Sequence, residues 1–488
     1  MANEARGHGA PGAHAKPDDH VVVLFGATGD LAARKLIPGF FRLHAVGLMP
    51  GRARIVGTSP IEMSADDFRE HARDAVEQFG SVKPHGRAWD AFIERLDYVV
   101  AGPPDLAPLA RSVERARDAI GGSPRVLHYL SIPPLVMRDV VTAIGAAGLA
   151  GDQARVVLEK PFGTDLDSAK ALNALLHSVF AEEQIFRIDH FLGKEDVQNI
   201  LVIRFANRLF EPVWNAQHVS HVQIDVPETL GVENRAKFYE ETGAFRDMVV
   251  THLFQALGFV AMDPPAGFTA DALATEKQRV FDALVPLDPS AVVRGQYAGY
   301  RALPDVADDS DTETLVAVEA RIENERWSGV PIYLRTGKRM PEGRRVITLT
   351  LKHAPLHMFP EDVGTRPDQL VFEIGEPGGI RVNFVSKEPG PTMLLGEAHL
   401  DFEYARSFHA RDELEAYERL LHDAMLGDRT LFNRADGVER LWEVAQPLLA
   451  SAPPVLPYEP GTWGPPEVDA LVAPGSWYLP DGPPAPGI

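Results

Sequence analysis

Cysteine is absent from this 488-residue chain, which excludes disulfides, a thiolate nucleophile and a cysteine-ligated metal. Also missing is any unbroken run of about 18 apolar residues, the length a membrane-crossing helix needs. The opening residues lack the charged, apolar and small-residue phases of a secretory signal. Cytoplasmic residence without a membrane partner is therefore expected by elimination. Positive charge is scarce: 48 Lys and Arg stand against 69 Asp and Glu, a formal net charge of -21. That field argues against nucleic acid or anionic lipid as a general partner. An anionic ligand has to find a local basic pocket that overrides it, so each cluster of Lys, Arg and His deserves scrutiny.

What is present suits a multidomain globular protein. Hydrophobic residues make up 45%, and the length exceeds one ordinary core. Residues 1–19, rich in Gly, Ala, Pro and His, read as a disordered arm. His8, His14 and His20 fall at or beside it and suggest a tail rather than a metal site; no metal is expected. From His20 short apolar runs alternate with helical patterns: strands at Val21–Phe25, Arg54–Gly57, Arg125–Leu130 and Arg155–Leu158, helices at Leu31–Val46 and Asp66–Phe79. This alternation predicts a parallel α/β sheet over residues 20–190. Beyond it, longer alternating strands are expected at His218–Val226, Thr314–Ile322, Arg345–Leu351, Leu370–Ile374 and Ile380–Val385. With helices over 234–262 and 410–449, residues 191–488 read as an α+β domain with a large, mainly antiparallel sheet. The Pro- and Gly-rich stretch from Ala452 is expected to wrap the surface. The acidic run 305–311 lacks calcium-loop spacing and reads as a solvated loop.

Three clusters carry chemistry. Val21–Phe25 runs into Gly26-Ala27-Thr28-Gly29-Asp30-Leu31, a glycine turn that brings backbone N–H groups and a helix N-terminus to a pyrophosphate. The spacing is shorter than the full dinucleotide fingerprint, and a glycine turn also serves merely to join strand to helix. Lys35 is placed to reach a phosphate. Around Gly57–Glu62, where an acid would hold a ribose hydroxyl and an arginine a 2′-phosphate, neither sits in the expected slot. Thr28 and Ser59 can donate to either group, so NAD and NADP both remain open. Arg187-Ile188-Asp189-His190-Phe191-Leu192-Gly193-Lys194-Glu195 gathers an acid, an imidazole and an ammonium. Arg246-Asp247-Met248-Val249-Val250-Thr251-His252 offers a second imidazole near a carboxylate.

These segments, with Glu159-Lys160-Pro161-Phe162-Gly163, Glu323-Asn324-Glu325-Arg326-Trp327 and Leu334-Arg335-Thr336-Gly337-Lys338, resemble the glucose-6-phosphate dehydrogenase family. The likeness spans nearly the whole chain from about residue 20. It implies a Rossmann domain followed by a β+α domain whose large sheet serves dimerisation, giving a homodimer or homotetramer. The implied reaction oxidises glucose 6-phosphate at C1 to 6-phosphogluconolactone with hydride transfer to NADP or NAD, the first step of the oxidative pentose phosphate pathway. The resemblance makes His252 the catalytic base and Asp189 its carboxylate partner. It gives phosphate binding to His190 and Lys194, contact with substrate and cofactor to Lys160, and sugar hydroxyls or phosphate to Glu228, Asp247 and Lys338. It also suggests a cis bond before Pro161. Three departures stand out. Phe191 replaces a frequent Tyr, Thr251 a frequent Asn, and Pro60 the arginine common in NADP-using members. Related readings are a dehydrogenase of another sugar or sugar phosphate, and a catalytically silent nucleotide-binding regulator.

The chemistry suits those residue types. Removing hydride from a hemiacetal carbon requires the O1 proton to leave as well. An imidazole of pKa about 6.5 is matched to that task near neutral pH. A carboxylate fixes its tautomer and stabilises the imidazolium.

Overall fold

A computed structural model describes residues 16–354, 359, 366–375, 378–408 and 414–479. The chain divides into two compact units: residues to Lys160 with Leu172–His190 and Leu414–Phe432, and Pro161–Ala171 with Phe191–Glu413 and residues from Asn433.

The first unit is built on β-branched runs that pair in parallel: β1 (His20–Phe25), β2 (Ala53–Ser59), β3 (Leu96–Val100), β4 (Arg125–Leu130), β5 (Ala154–Leu158) and β6 (Ile185–Ile188). Their spatial order is β6-β5-β4-β1-β2-β3. Every residue of β1 is buried, as expected of a central strand covered on both faces. The connecting helix Ala65–Phe79 starts at a reciprocal cap between Ser64 and Asp67. His20 is not part of an arm: it opens β1, fully buried, with Nδ1 against the Asp18 carbonyl at 2.6 Å. Residues 1–15, including His8 and His14, lie outside the described residues.

The second unit holds a nine-stranded sheet. Its strands are β7 (Val219–Pro227), β8 (Val292–Tyr297), β9 (Leu315–Ala320), β10 (Ile332–Gly337), β11 (Val346–Leu351), β12 (Gln369–Glu373), β13 (Gly379–Lys387) and β14 (Leu395–Glu403), with Val455–Tyr458 at one edge. The order is β14-β13-β12-β11-β7-β10-β9-β8 and then Val455–Tyr458. Two of its pairings are parallel, β10 with β7 and Val455–Tyr458 with β8; the others are antiparallel.

Several expectations need correction. The segment after Ala452 does more than cover a surface. It adds a strand, and Tyr478 and Leu479 complete a cluster with Val346 and Val371. The helices expected over 410–449 are Ala416–Leu426 and Ala435–Ala450. Residues 414–432 group with the first unit, because Leu421 packs on Gly39 and Glu415 pairs with Lys35. Residues 161–171 group with the second, where the Phe162 carbonyl accepts from Trp442 and the Thr164 carbonyl from Arg246. Both excursions cut across the simple division expected at residue 190. The cis peptides among the described residues are Pro103–Pro104 and Ala473–Pro474, so the bond before Pro161 is trans. That is the ordinary state of an X–Pro bond unless packing selects otherwise. No helix among the described residues is long and apolar enough to cross a membrane.

Candidate active site

In the first unit the expected residues leave the C-terminal ends of adjacent parallel strands, where ligands bind in open α/β sheets. Gly26 follows β1 with φ 69°, and a Cβ there would sit 2.0 Å from the Ser131 carbonyl oxygen. Only glycine fits. Gly29 donates back to the Gly26 carbonyl at 2.9 Å, closing the turn before the helix that carries Asp30 and Leu31. At the end of β2, Ser59 Oγ lies 2.7 Å from the Tyr98 hydroxyl and accepts from Thr28 at 3.3 Å. Lys35 is half-exposed and donates to Glu415 at 2.8 Å.

Glu159 and Lys160 follow β5; Asp189 and His190 follow β6. Glu159 accepts from the Tyr129 hydroxyl at 2.5 Å and from that of Tyr417 at 3.5 Å. Burial pushes its carboxyl up to about 7, against the opposing hydrogen bond from Tyr129 and the Lys160 charge. Burial and the neighbouring Glu159 raise both phenols. The Tyr417 ring also lies parallel to the His190 imidazole, centroids 6.1 Å apart. Tyr129 and Tyr417 were not foreseen. Nothing local in the sequence marks them, and Tyr417 belongs to the helix that comes from late in the chain.

In the second unit His252 is 1% exposed and sits in a π-helical stretch, Phe245–Leu253, that continues as an α-helix over Phe254–Ala261. Single π-turns inside α-helices mark functional positions more often than chance. The Phe191 ring stacks on the His252 imidazole at 4.6 Å and 20°. Lys194 Nζ lies 4.6 Å from the same phenyl centroid. The phenyl that departs from the family pattern is thus a buried platform under the imidazole and beside the ammonium, a cation–π arrangement. Thr251, the second departure, turns its hydroxyl inward to donate to the Asp247 carbonyl.

Beyond the C-terminal ends of the parallel pair β7 and β10, Glu228 and Lys338 form an ion pair of 2.8 Å. The Lys338 ammonium also stands 5.6 Å from the Tyr239 ring. Burial and the nearby carboxylates of Asp247, Glu313 and Glu228 hold the Tyr239 phenol well above its usual range. Tyr239 was likewise not anticipated. A separate cavity of about 760 Å³, lined by Asn207, Arg208, Asn215, Asn324 and Arg326 among others, contains none of the expected site residues. Arg204, Glu211, Asp263 and Arg326 in its walls are paired with one another, and it is not taken as the reaction site.

Asp189 and His190 therefore lie in the first unit, and His252, Lys194, Glu228, Asp247 and Lys338 in the second. Each unit assembles acidic and basic groups suited to proton movement and to an anionic ligand.

Comparison with known proteins identifies the family. Residues 23–199 match the model of the glucose-6-phosphate dehydrogenase NAD binding domain, and residues 201–478 that of the glucose-6-phosphate dehydrogenase C-terminal domain. The glucose-6-phosphate 1-dehydrogenase of Rhizobium meliloti is 41% identical over 483 residues, covering 94% of this chain and 96% of the relative. That of Mycolicibacterium smegmatis is 41% identical over 449 residues, covering 88% and 90%. Among solved structures, the Mycobacterium avium enzyme aligns with a TM-score of 0.86 at 38% identity, covering 96% of this chain and 99% of that one. A glucose-6-phosphate dehydrogenase in complex with its substrate glucose-6-phosphate aligns at 0.88 with 30% identity, covering 95% and 99%. The chain belongs to the glucose-6-phosphate dehydrogenase family.

Proposed function

From that membership, we propose that His252 is the base of a glucose-6-phosphate dehydrogenase, with Asp189 as its carboxylate partner. The enzyme oxidises glucose 6-phosphate at C1 to 6-phosphogluconolactone, the entry to the oxidative pentose phosphate pathway, using NAD or NADP. The observation that carries the assignment is the buried His252 on its π-turn, backed by the Phe191 ring that also meets Lys194.

The glycine turn fits a dinucleotide, since the space a Cβ would need at Gly26 is already taken by backbone. Gly26, Thr28, Gly29, Asp30, Leu31, Lys35, Ser59 and Lys160 are the residues we assign to holding it. When bound, the nicotinamide supplies the hydride acceptor. His252 takes the O1 proton as the C1 hydrogen departs, so the developing positive centre collapses to the lactone carbonyl. Asp189 stabilises the imidazolium formed. His190 and Lys194 grip the phosphate through charge-assisted hydrogen bonds, while Lys160, Glu228, Asp247 and Lys338 orient the sugar. Binding the remote phosphate fixes C1 in place, a contribution of several kcal/mol to barrier reduction.

We further propose that the enzyme is cytoplasmic and works as a homodimer or homotetramer joined through the β13–β14 end of the large sheet. Leu400 on that edge strand is 64% exposed, and so at 63% is Phe408, whose ring lies 6.1 Å from that of Phe402 on the same strand, which leaves apolar surface open along this edge. Reduced-nicotinamide absorbance on mixing the protein with glucose 6-phosphate and each cofactor tests the activity. Equal turnover of free glucose would point to another sugar as substrate. No turnover with either cofactor would leave a silent nucleotide-binding regulator.

A further inference from the structure

The helix that carries His252 is tied at both ends by buried side chains from distant parts of the second unit. Helices leave about four N–H groups unpaired at the start and four carbonyls at the end. Gly243, at φ 67°, breaks the preceding helix and frees the Ala244 and Phe245 amides. Glu313 takes both: its carbonyl accepts from Ala244 at 3.0 Å and its carboxylate from Phe245 at 2.9 Å. A Cβ at position 243 would lie 2.4 Å from that carboxylate, so the break and the cap require one another. Arg294 holds Glu313 in place with an ion pair of 2.8 Å.

At the other end four consecutive carbonyls each receive a buried donor. Arg204 donates to Phe259 at 2.9 Å and to Met262 at 2.7 Å. The indoles of Trp214 and Trp327 donate to Val260 at 2.7 Å and to Ala261 at 2.8 Å. Arg326 braces this set through Glu211, Asp263 and the Trp214 carbonyl. The guanidinium of Arg204, drawn down by burial to about 9, stays charged at neutral pH and opposes the negative end of the helix dipole.

Two fixed ends dictate how many residues must fit between them. A π-turn accommodates one residue more than an α-turn, and relaxing it would rotate every side chain beyond it by roughly 100°. We propose that Glu313 at the start and Arg204, Trp214 and Trp327 at the end are positioning residues, which hold the Phe245–Ala261 helix in its π register and so aim the His252 ring. This rests on the reading of His252 as the base. It also gives the Glu323–Trp327 motif a role away from the substrate.

Trp327→Phe keeps an aromatic six-membered ring but removes the donor to Ala261 together with the five-membered part of the buried indole. We expect its kcat to fall about tenfold, with both KM values within about twofold and a cooperative thermal transition retained. Glu313→Ala should lower kcat at least as much, and Glu313→Gln, which still accepts from Phe245, should restore most of it. If Glu313→Ala does not fold, Trp327→Phe decides. Undiminished kcat in folded Trp327→Phe overturns the proposal, as does a loss of kcat matched by rises in both KM values. His252→Asn run in parallel separates the two layers. If it loses turnover while Trp327→Phe keeps it, only the positioning role fails. If it keeps turnover, the base assignment falls and the positioning role with it.

Discussion

The first unit displays its reactive groups on chain that has just left a parallel sheet, whereas the second buries its imidazole in the middle of a helix. Gly26, Lys160, Asp189 and His190 all sit within two residues after a strand, where the backbone is free to turn toward a ligand. His252 has no such freedom, and its direction depends on what holds the helix ends. A site at strand ends is set by local chain geometry. A site inside a helix is set by remote packing, so the two should fail differently when perturbed.

The largest effect is expected in the second unit. His252→Asn should reduce kcat by a factor on the order of 10² to 10⁴ with little change in the KM for glucose 6-phosphate; steady-state kinetics showing near-normal turnover would remove the base. In the first unit, Gly26→Ala forces a Cβ onto the Ser131 carbonyl at positive φ. It should cost about 2 kcal/mol or more of stability and raise the cofactor KM. Thermal melting and a cofactor titration that both match the parent would detach this turn from the nucleotide site. Lys194→Ala should raise the KM for glucose 6-phosphate about tenfold while leaving kcat closer to normal. An unaltered KM would mean that the ammonium serves only the Phe191 ring.

The last expectation concerns pH. The Glu159 carboxyl sits near 7 when folded, against an ordinary 4.5 when unfolded, so the folded state binds its proton more tightly. The resulting stabilisation is complete below about 4.5, declines as pH rises, and is gone above about 7; it amounts to at most about 3 kcal/mol. Glu159→Gln should flatten the melting temperature across that window relative to the parent. Parallel curves for the two proteins would place the titration elsewhere.

The same contrast explains what could be read in advance. β1, β2, β4 and β5 announce themselves as short β-branched runs, and the polar motifs that follow them mark the first unit's site. β3 escaped because Asp97 interrupts its apolar run, and β6 because its residues read as part of a reactive motif. β10 escaped for the same reason. In the second unit the pairing of His252 with a nearby carboxylate was visible, but its role as base came only from family likeness, since its neighbours on the helix look like any core face. Glu313, Arg204, Trp214 and Tyr417 were not legible as parts of either site. Each acts on backbone or side chains far away in sequence, and no local pattern encodes such a meeting. Phe191 was read only as standing in place of a frequent Tyr, because the sequence shows the missing hydroxyl but not the imidazole under the ring.

The segment around Tyr478 and Leu479 has a consequence for biosynthesis. Arg335, buried between the Trp463 and Trp477 rings, donates to the Leu479 carbonyl at 3.0 Å, and the sheet gains its outermost strand from Val455–Tyr458. A ribosome must therefore deliver the chain as far as residue 479 before the second unit can close its interior. The first unit likewise waits for residues 414–432. For most of translation neither half is finished, and the nascent protein depends on whatever shields its apolar surfaces until those late stretches arrive.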